Sequence, residues 1–155
     1  MCFSATASFS SSIVLLGIGF LTLKAPRLSG ELLFAAIPLL FAIQQFSEGM
    51  LWLTFLYNAP ILNIAMTYLY SFFSHVLWPI YLPLSVLLIE PPGRRRLVLA
   101  VFVAIGYAVG VYLLFSITDF GITSRLTDQH IEYVAPHFFG IATMFAYLLS
   151  TTITP

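Results

Sequence analysis

Apolar residues run along this chain in five nearly uninterrupted stretches, at about residues 8–23, 32–57, 61–89, 97–115 and 134–153. A helix rises 1.5 Å per residue, so about 20 residues cross a hydrocarbon core roughly 30 Å thick. The stretches match that length, the first being slightly short. A soluble fold of this size cannot hide so much apolar surface, because small domains bury only part of what their chains expose. Composition agrees: 60% of the 155 residues are hydrophobic and 8% charged, against about a quarter charged in soluble domains. The expected fold class is all-α, a polytopic transmembrane helix bundle of about five spans forming one domain over residues 1–155, with membrane lipid as its immediate partner.

The breaks carry the expected punctuation: Lys24-Ala25-Pro26-Arg27, Asn58-Ala59-Pro60, Glu90-Pro91-Pro92-Gly93 and the polar stretch 116–133. Lys24 and Arg27 lie between spans 1 and 2, and Arg94, Arg95 and Arg96 between spans 3 and 4. Both loops fall on one side, which the positive-inside rule makes cytoplasmic. The N-terminus, the Asn58 turn and the 116–133 loop are then outside. Residues 1–12 lack a basic n-region and no A-x-A-like site follows, so the first span is expected to be retained. A formal charge of zero offers nucleic acid no basic field, and a lone cysteine, Cys2, excludes an internal disulfide or thiolate cage. Cys2 reads as a small interfacial anchor, with a nucleophile or chelator after Met1 removal as the alternative. The end at Thr151-Thr152-Ile153-Thr154-Pro155 has no basic stop, as expected of a fragment of a longer bundle.

Ionisable groups inside a span are costly and mark sites. Glu48 is one, about 14 Å below the outer end of span 2. Gln44, Glu48 and Trp52 are spaced i, i+4, i+8, and Gln45 precedes Glu48 by three, so the four share a helix face. That stripe is either interhelical glue built on a protonated carboxyl or a site for a ligand, proton or metal. His75 is the second deep group, with Ser71 and Ser74 before it and Pro79 four residues on. Pro79 withdraws the N–H that the His75 carbonyl would have used, leaving a kink that protein or water must re-satisfy. Pro83 repeats the break. His137, after an N1-type Pro136, is expected in the first turn of span 5, and His130 in a solvated loop. Glu48, His75 and His137 together suit zinc or another divalent ion with an open position, Gln44, Gln45, Trp52 and Ser71 being ligand-binding neighbours. Gly106-x-x-x-Gly110 is a close-approach helix surface.

The opening Met1-Cys2-Phe3-Ser4-Ala5-Thr6-Ala7-Ser8-Phe9 resembles an uncharacterised family of prokaryotic multi-span membrane proteins that begin MCFSA-x-ASF. The likeness continues through residues 35–45, Glu48-Gly49, Trp52, His75, Trp78-Pro79 and Pro136-His137. It implies a plasma-membrane protein, longer by about two spans, and brings no activity. Separately, Ser71-x-x-x-His75 resembles the Ser/His element of seven-span zinc amide hydrolases of the alkaline ceramidase type, whose last-span His-x-x-x-His is absent here. Three functions follow. The first is an outward-facing Gln/Glu/His cavity for a metal ion or small ligand. The second is an intramembrane metal-dependent hydrolase with Glu48 as base. The third is an accessory subunit of a larger membrane complex or homo-oligomer, docked through Gly106 and Gly110.

Overall fold

The computed structural model describes residues 4–25, 29–127, 130–135 and 140–153. Helix α1 spans Ala5–Lys24. It starts earlier than the apolar run because the Ser4 hydroxyl accepts the Ala7 N–H at 3.2 Å, satisfying one of the donors a helix start leaves open. Helix α2 spans Leu32–Leu56 behind a single 3-10 turn at Ser29–Glu31. Helix α3, Pro60–Ser71, begins after a tight turn in which Asn58 takes a φ of 50°, a left-handed conformation that asparagine tolerates better than most residues. A π turn, Phe72–Leu77, joins α3 to α4, Trp78–Ile89, so that one apolar helix runs from Pro60 to Ile89.

Helix α5 covers Arg94–Phe120. Its three arginines form the first turn where a loop was expected, Arg95 pairing with Glu90 at 3.5 Å. Its other end runs five residues past the expected span end at 115. The polar segment that follows is not plain loop. Strands β1, Thr123–Thr127, and β2, His130–Val134, form an antiparallel hairpin. The expected fifth span therefore begins as strand at its first residue, Val134. The described helix there is α6, Ile141–Leu148, carried on by a π turn, Leu149–Ile153. Four helices are long and apolar enough to cross a membrane, and the last is shorter. The chain is an integral membrane protein of helical class.

The fold divides into two compact units. The first holds α1, α2 from Ala35, α3 and the hairpin. Here Ser8, Ser12 and Gly19 give α1 one small, buried face. Ser12 donates to the Ala42 carbonyl at 2.8 Å and Thr22 to that of Ala35 at 2.7 Å, so α1 and α2 are joined by hydroxyl-to-backbone bonds suited to an apolar solvent. The hairpin is amphipathic. Ser124 and Tyr133 are register partners, as are Leu126 and Ile131, on one face, while Arg125 opposes Glu132 on the other. Ile131 is buried and Tyr133 stacks on Tyr70 of α3, ring centres 4.5 Å apart.

The second unit holds the start of α2, the π turn, α4, α5 and α6. Its centre is the Pro79 kink. In an i→i+5 turn the acceptor that Pro79 leaves unserved moves from His75 to Ser74. The Tyr147 hydroxyl donates to that Ser74 carbonyl at 2.6 Å. Helix α5 closes on the same place: a Cβ at Gly106 would lie 1.8 Å from the Pro79 carbonyl oxygen, and one at Gly110 3.1 Å from that of Val76. The glycine pair expected to meet a partner subunit is thus used within the chain. A proline-kinked helix carries carbonyls outward, and only glycine lets a second backbone approach them.

Candidate functional site

The polar stripe of α2 is buried although it sits in a helix of apolar composition. Glu48 is 1% exposed and Gln44 6%. Ser47, between them, turns its hydroxyl back onto the Gln44 carbonyl at 2.7 Å and so presents no donor to the stripe. Gln45 and Trp52 are part-buried. Gln44, Glu48 and Trp52 lie one helical turn apart in succession, as the i, i+4, i+8 spacing requires. Ser71, the last residue of α3, is fully buried in the same unit.

Two buried donors accompany the carboxyl. The indole Nε1 of Trp52 has no hydrogen-bond partner among the described residues, and neither does the Tyr133 hydroxyl. Tyr133 belongs to the hairpin and reaches this place by stacking on Tyr70, with an interplanar angle of 8°. Burial pushes its hydroxyl well above the ordinary tyrosine range; neighbouring Tyr70 and the Glu48 carboxyl push the same way. The phenol is therefore held protonated, as a donor, beside a carboxyl. Unpaired polar atoms in an apolar interior are expensive, on the order of 1–3 kcal/mol each, and a buried donor of this kind asks for an acceptor.

In the same unit a run of polar side chains is bonded internally. Asn63 donates to Thr54 at 2.8 Å, Thr67 to Ser124 at 2.8 Å, and Ser124 to the Asn63 side-chain oxygen at 3.1 Å. This chain of hydroxyl and amide groups fixes β1 to α3 and α3 to α2. The open groove between Thr54, Asn58 and Asn63, about 410 Å³, is lined by that satisfied network and by apolar groups, and carries no ionisable side chain. It is a poorer site than the Glu48 stripe.

His75 belongs to the second unit and is half-buried. The Ser74 hydroxyl meets its imidazole, 2.7 Å from Nδ1. Both lie in the π turn, which rotates successive side chains by less than an α-helix does and brings adjacent positions closer in direction. Among the described residues no group of three His, Cys, Asp or Glu side chains is placed to hold a metal ion. His137 and Cys2 lie outside the described residues.

Tyr70 and Tyr133 were not among the residues expected from sequence. The signal for the hairpin was present but weak: His130-Ile131-Glu132-Tyr133-Val134 alternates in polarity, and Thr123 to Thr127 is rich in strand formers. Nothing in one sequence pairs a loop tyrosine with Glu48.

The chain belongs to a family of unknown function, DUF6629, whose sequence profile matches residues 1–154. No curated protein and no solved structure gives a significant match.

Proposed function

We propose that this membrane protein binds a small polar ligand at Glu48, in a membrane-embedded site completed by Trp52 and Tyr133 and neighboured by Gln44, Gln45 and Ser71. One observation carries the reading. The Trp52 Nε1 and the Tyr133 hydroxyl are both buried without a partner among the described residues; Trp52 follows the 1%-exposed Glu48 by one helical turn, and Tyr133 is near enough to feel its carboxyl. A helix bundle held together only by polar glue would direct such donors onto its own acceptors, as Ser12, Thr22 and Tyr147 do elsewhere in the chain. In the same reading the protein sits in a prokaryotic plasma membrane with Lys24, Arg27 and Arg94 to Arg96 on the cytoplasmic side, which the positive-inside bias supports.

An experimental structure of the protein in lipid, beside that of Glu48→Gln, tests this. Non-protein density within hydrogen-bond distance of Trp52 Nε1 and Tyr133 Oη is expected in the wild type and is weakened in the variant. Metal analysis of both samples assigns that density to zinc or another ion, or excludes one. Both donors bonded directly to protein groups, with no density between them, would overturn the reading.

A further inference from the structure

Among the described residues the chain passes between the two units within α2, from Phe34 to Ala35, at the end of α3, from Ser71 to Phe72, and after α5, from Gly121 to Ile122. At each passage the helical ladder of hydrogen bonds is weakened or ended. In α2, Pro38 brings no N–H to the carbonyl four residues back, which is that of Phe34. After Ser71 the α-helix gives way to the π turn Phe72–Leu77. Gly121 takes a φ of 74°, a left-handed conformation that suits glycine, and caps α5 by donating to the Ile117 carbonyl at 3.1 Å. Prolines and π turns are where helices bend, and hinges are a few residues at such places or at element ends.

The passages are bracketed by anchors to different neighbours. Before Pro38, Tyr81 of α4 donates to the Leu33 carbonyl at 2.8 Å, and a Cβ at Gly30 would lie 2.6 Å from the Leu88 carbonyl oxygen, also of α4. From Ala35 onward the partner is α1. Thr22 donates to the Ala35 carbonyl at 2.7 Å, and a Cβ at Gly19 would meet the Leu39 nitrogen at 2.9 Å. Helix α2 is thus fixed to α4 up to Leu33 and to α1 from Ala35, with the unserved turn starting between them. The π turn repeats the pattern. Ahead of it, Thr67 bonds Ser124 and Tyr70 stacks on Tyr133, both of the hairpin. Within and beyond it, the Ser74 carbonyl takes the Tyr147 hydroxyl of α6, and Gly106 of α5 meets the Pro79 carbonyl.

We infer that residues 34–38, the π turn Phe72–Leu77 and Gly121 are joints at which the two units turn as separate bodies. A stiff helix anchored at its two ends to different bodies would lock them, and a softened one lets them turn. Motions of this kind run over microseconds to milliseconds. The inference stands apart from the ligand reading above, since Glu48, Trp52 and Tyr133 all belong to the first unit and move together.

Pulsed electron resonance on nitroxide pairs tests this in the full chain in lipid nanodiscs, the lone native thiol being removed by Cys2→Ser. The labels sit at exposed positions. Ile13→Cys with Phe115→Cys reads between the units. Ile13→Cys with Ile61→Cys reads within the first unit, and Leu88→Cys with Phe115→Cys within the second. The distance distribution between the units is expected to be wider than both internal ones. Pro38→Ala returns the missing N–H to α2 and should narrow it toward the internal width; Pro79→Ala should do the same at the π turn. Internal pairs that keep their distances in each variant show that the units remain folded, so narrowing then reads as lost motion. Should Pro79→Ala disturb the internal pairs, Pro38→Ala decides alone. A distribution between the units as narrow as the internal ones, or one that Pro38→Ala leaves unchanged, would overturn the inference. Internal pairs as broad as the one between the units would overturn it too, since the units would then not move as bodies.

Discussion

The two units of this protein meet the same problem, polar groups inside an apolar fold, and resolve it differently. In the second unit each disturbance has a local remedy. Pro79 withdraws a backbone donor, the π turn moves the orphaned acceptor to Ser74, and the Tyr147 hydroxyl takes it up. The His75 imidazole is met by Ser74, and Gly106 lets α5 close against the Pro79 carbonyl. In the first unit the connecting groups are just as well matched along Thr54, Asn63, Ser124 and Thr67. Yet Trp52 Nε1 and Tyr133 Oη are buried without a hydrogen-bond partner among the described residues. The comparison teaches that polarity in a membrane interior is weak grounds for a site. Unserved polarity is stronger.

The largest effect should come from the second unit. A Cβ on Gly106 meets the Pro79 carbonyl oxygen at 1.8 Å, a backbone atom with no rotamer to escape by. Gly106→Ala is expected to cost about 3 kcal/mol, the upper range for overpacking, and Gly106→Leu to abolish the folded monodisperse species in detergent. Thermal unfolding with size-exclusion chromatography reads both. A mild Gly106→Leu phenotype would show that the kink does not organise that unit.

Next is the tyrosine that serves the kink. Tyr147→Phe leaves the Ser74 carbonyl without its donor and should destabilise by about 1 kcal/mol. Pro79→Ala restores a backbone N–H to the helix, so Tyr147→Phe should then cost little. A double-mutant cycle measures that coupling, and strict additivity would separate Tyr147 from the proline. Of similar size, Thr67→Val removes the donor to Ser124 and is expected to cost about 1 kcal/mol, seen as faster amide exchange in the hairpin.

The smallest effect sharpens the comparison most. Tyr133→Phe deletes a buried hydroxyl that no group among the described residues serves, so without ligand it should be neutral or slightly stabilising at pH 7, unlike Tyr147→Phe. Its signature lies in pH. The Tyr133 hydroxyl holds its proton above the usual tyrosine range in the folded state. Below about pH 10 it is protonated folded and unfolded alike, and stability does not depend on it. Above that, the unfolded chain releases the proton while the folded one keeps it, so stability falls by about 1.4 kcal/mol per pH unit. Unfolding between pH 9 and 11 should show a slope that Tyr133→Phe lessens; equal slopes would mean that the hydroxyl is solvated.

Much of the architecture was legible because lipid imposes a one-dimensional rule. Spans 1 to 4 follow from apolar length, their breaks from proline, asparagine and charge, and the burial of Gln44 and Glu48 from helical spacing alone. The fifth stretch was misread at Val134, which ends strand β2, since an apolar average does not distinguish the last residue of a strand from the first of a span. The glycine pair was rightly seen as a close-approach surface, but which backbone it approaches depends on where α5 lies.

Sequence by itself determined the solvent of this protein, its helical class and the position of its costly groups, because burial in lipid acts residue by residue along each helix. Tertiary structure alone decided which of those groups are served. It gave the Ser74 carbonyl to Tyr147 across 73 positions of chain, and it set Tyr133 of the hairpin beside Glu48. Hydrogen bonds are short and directional, so whether a donor has a partner is a fact about three-dimensional neighbours that no spacing along one helix can express.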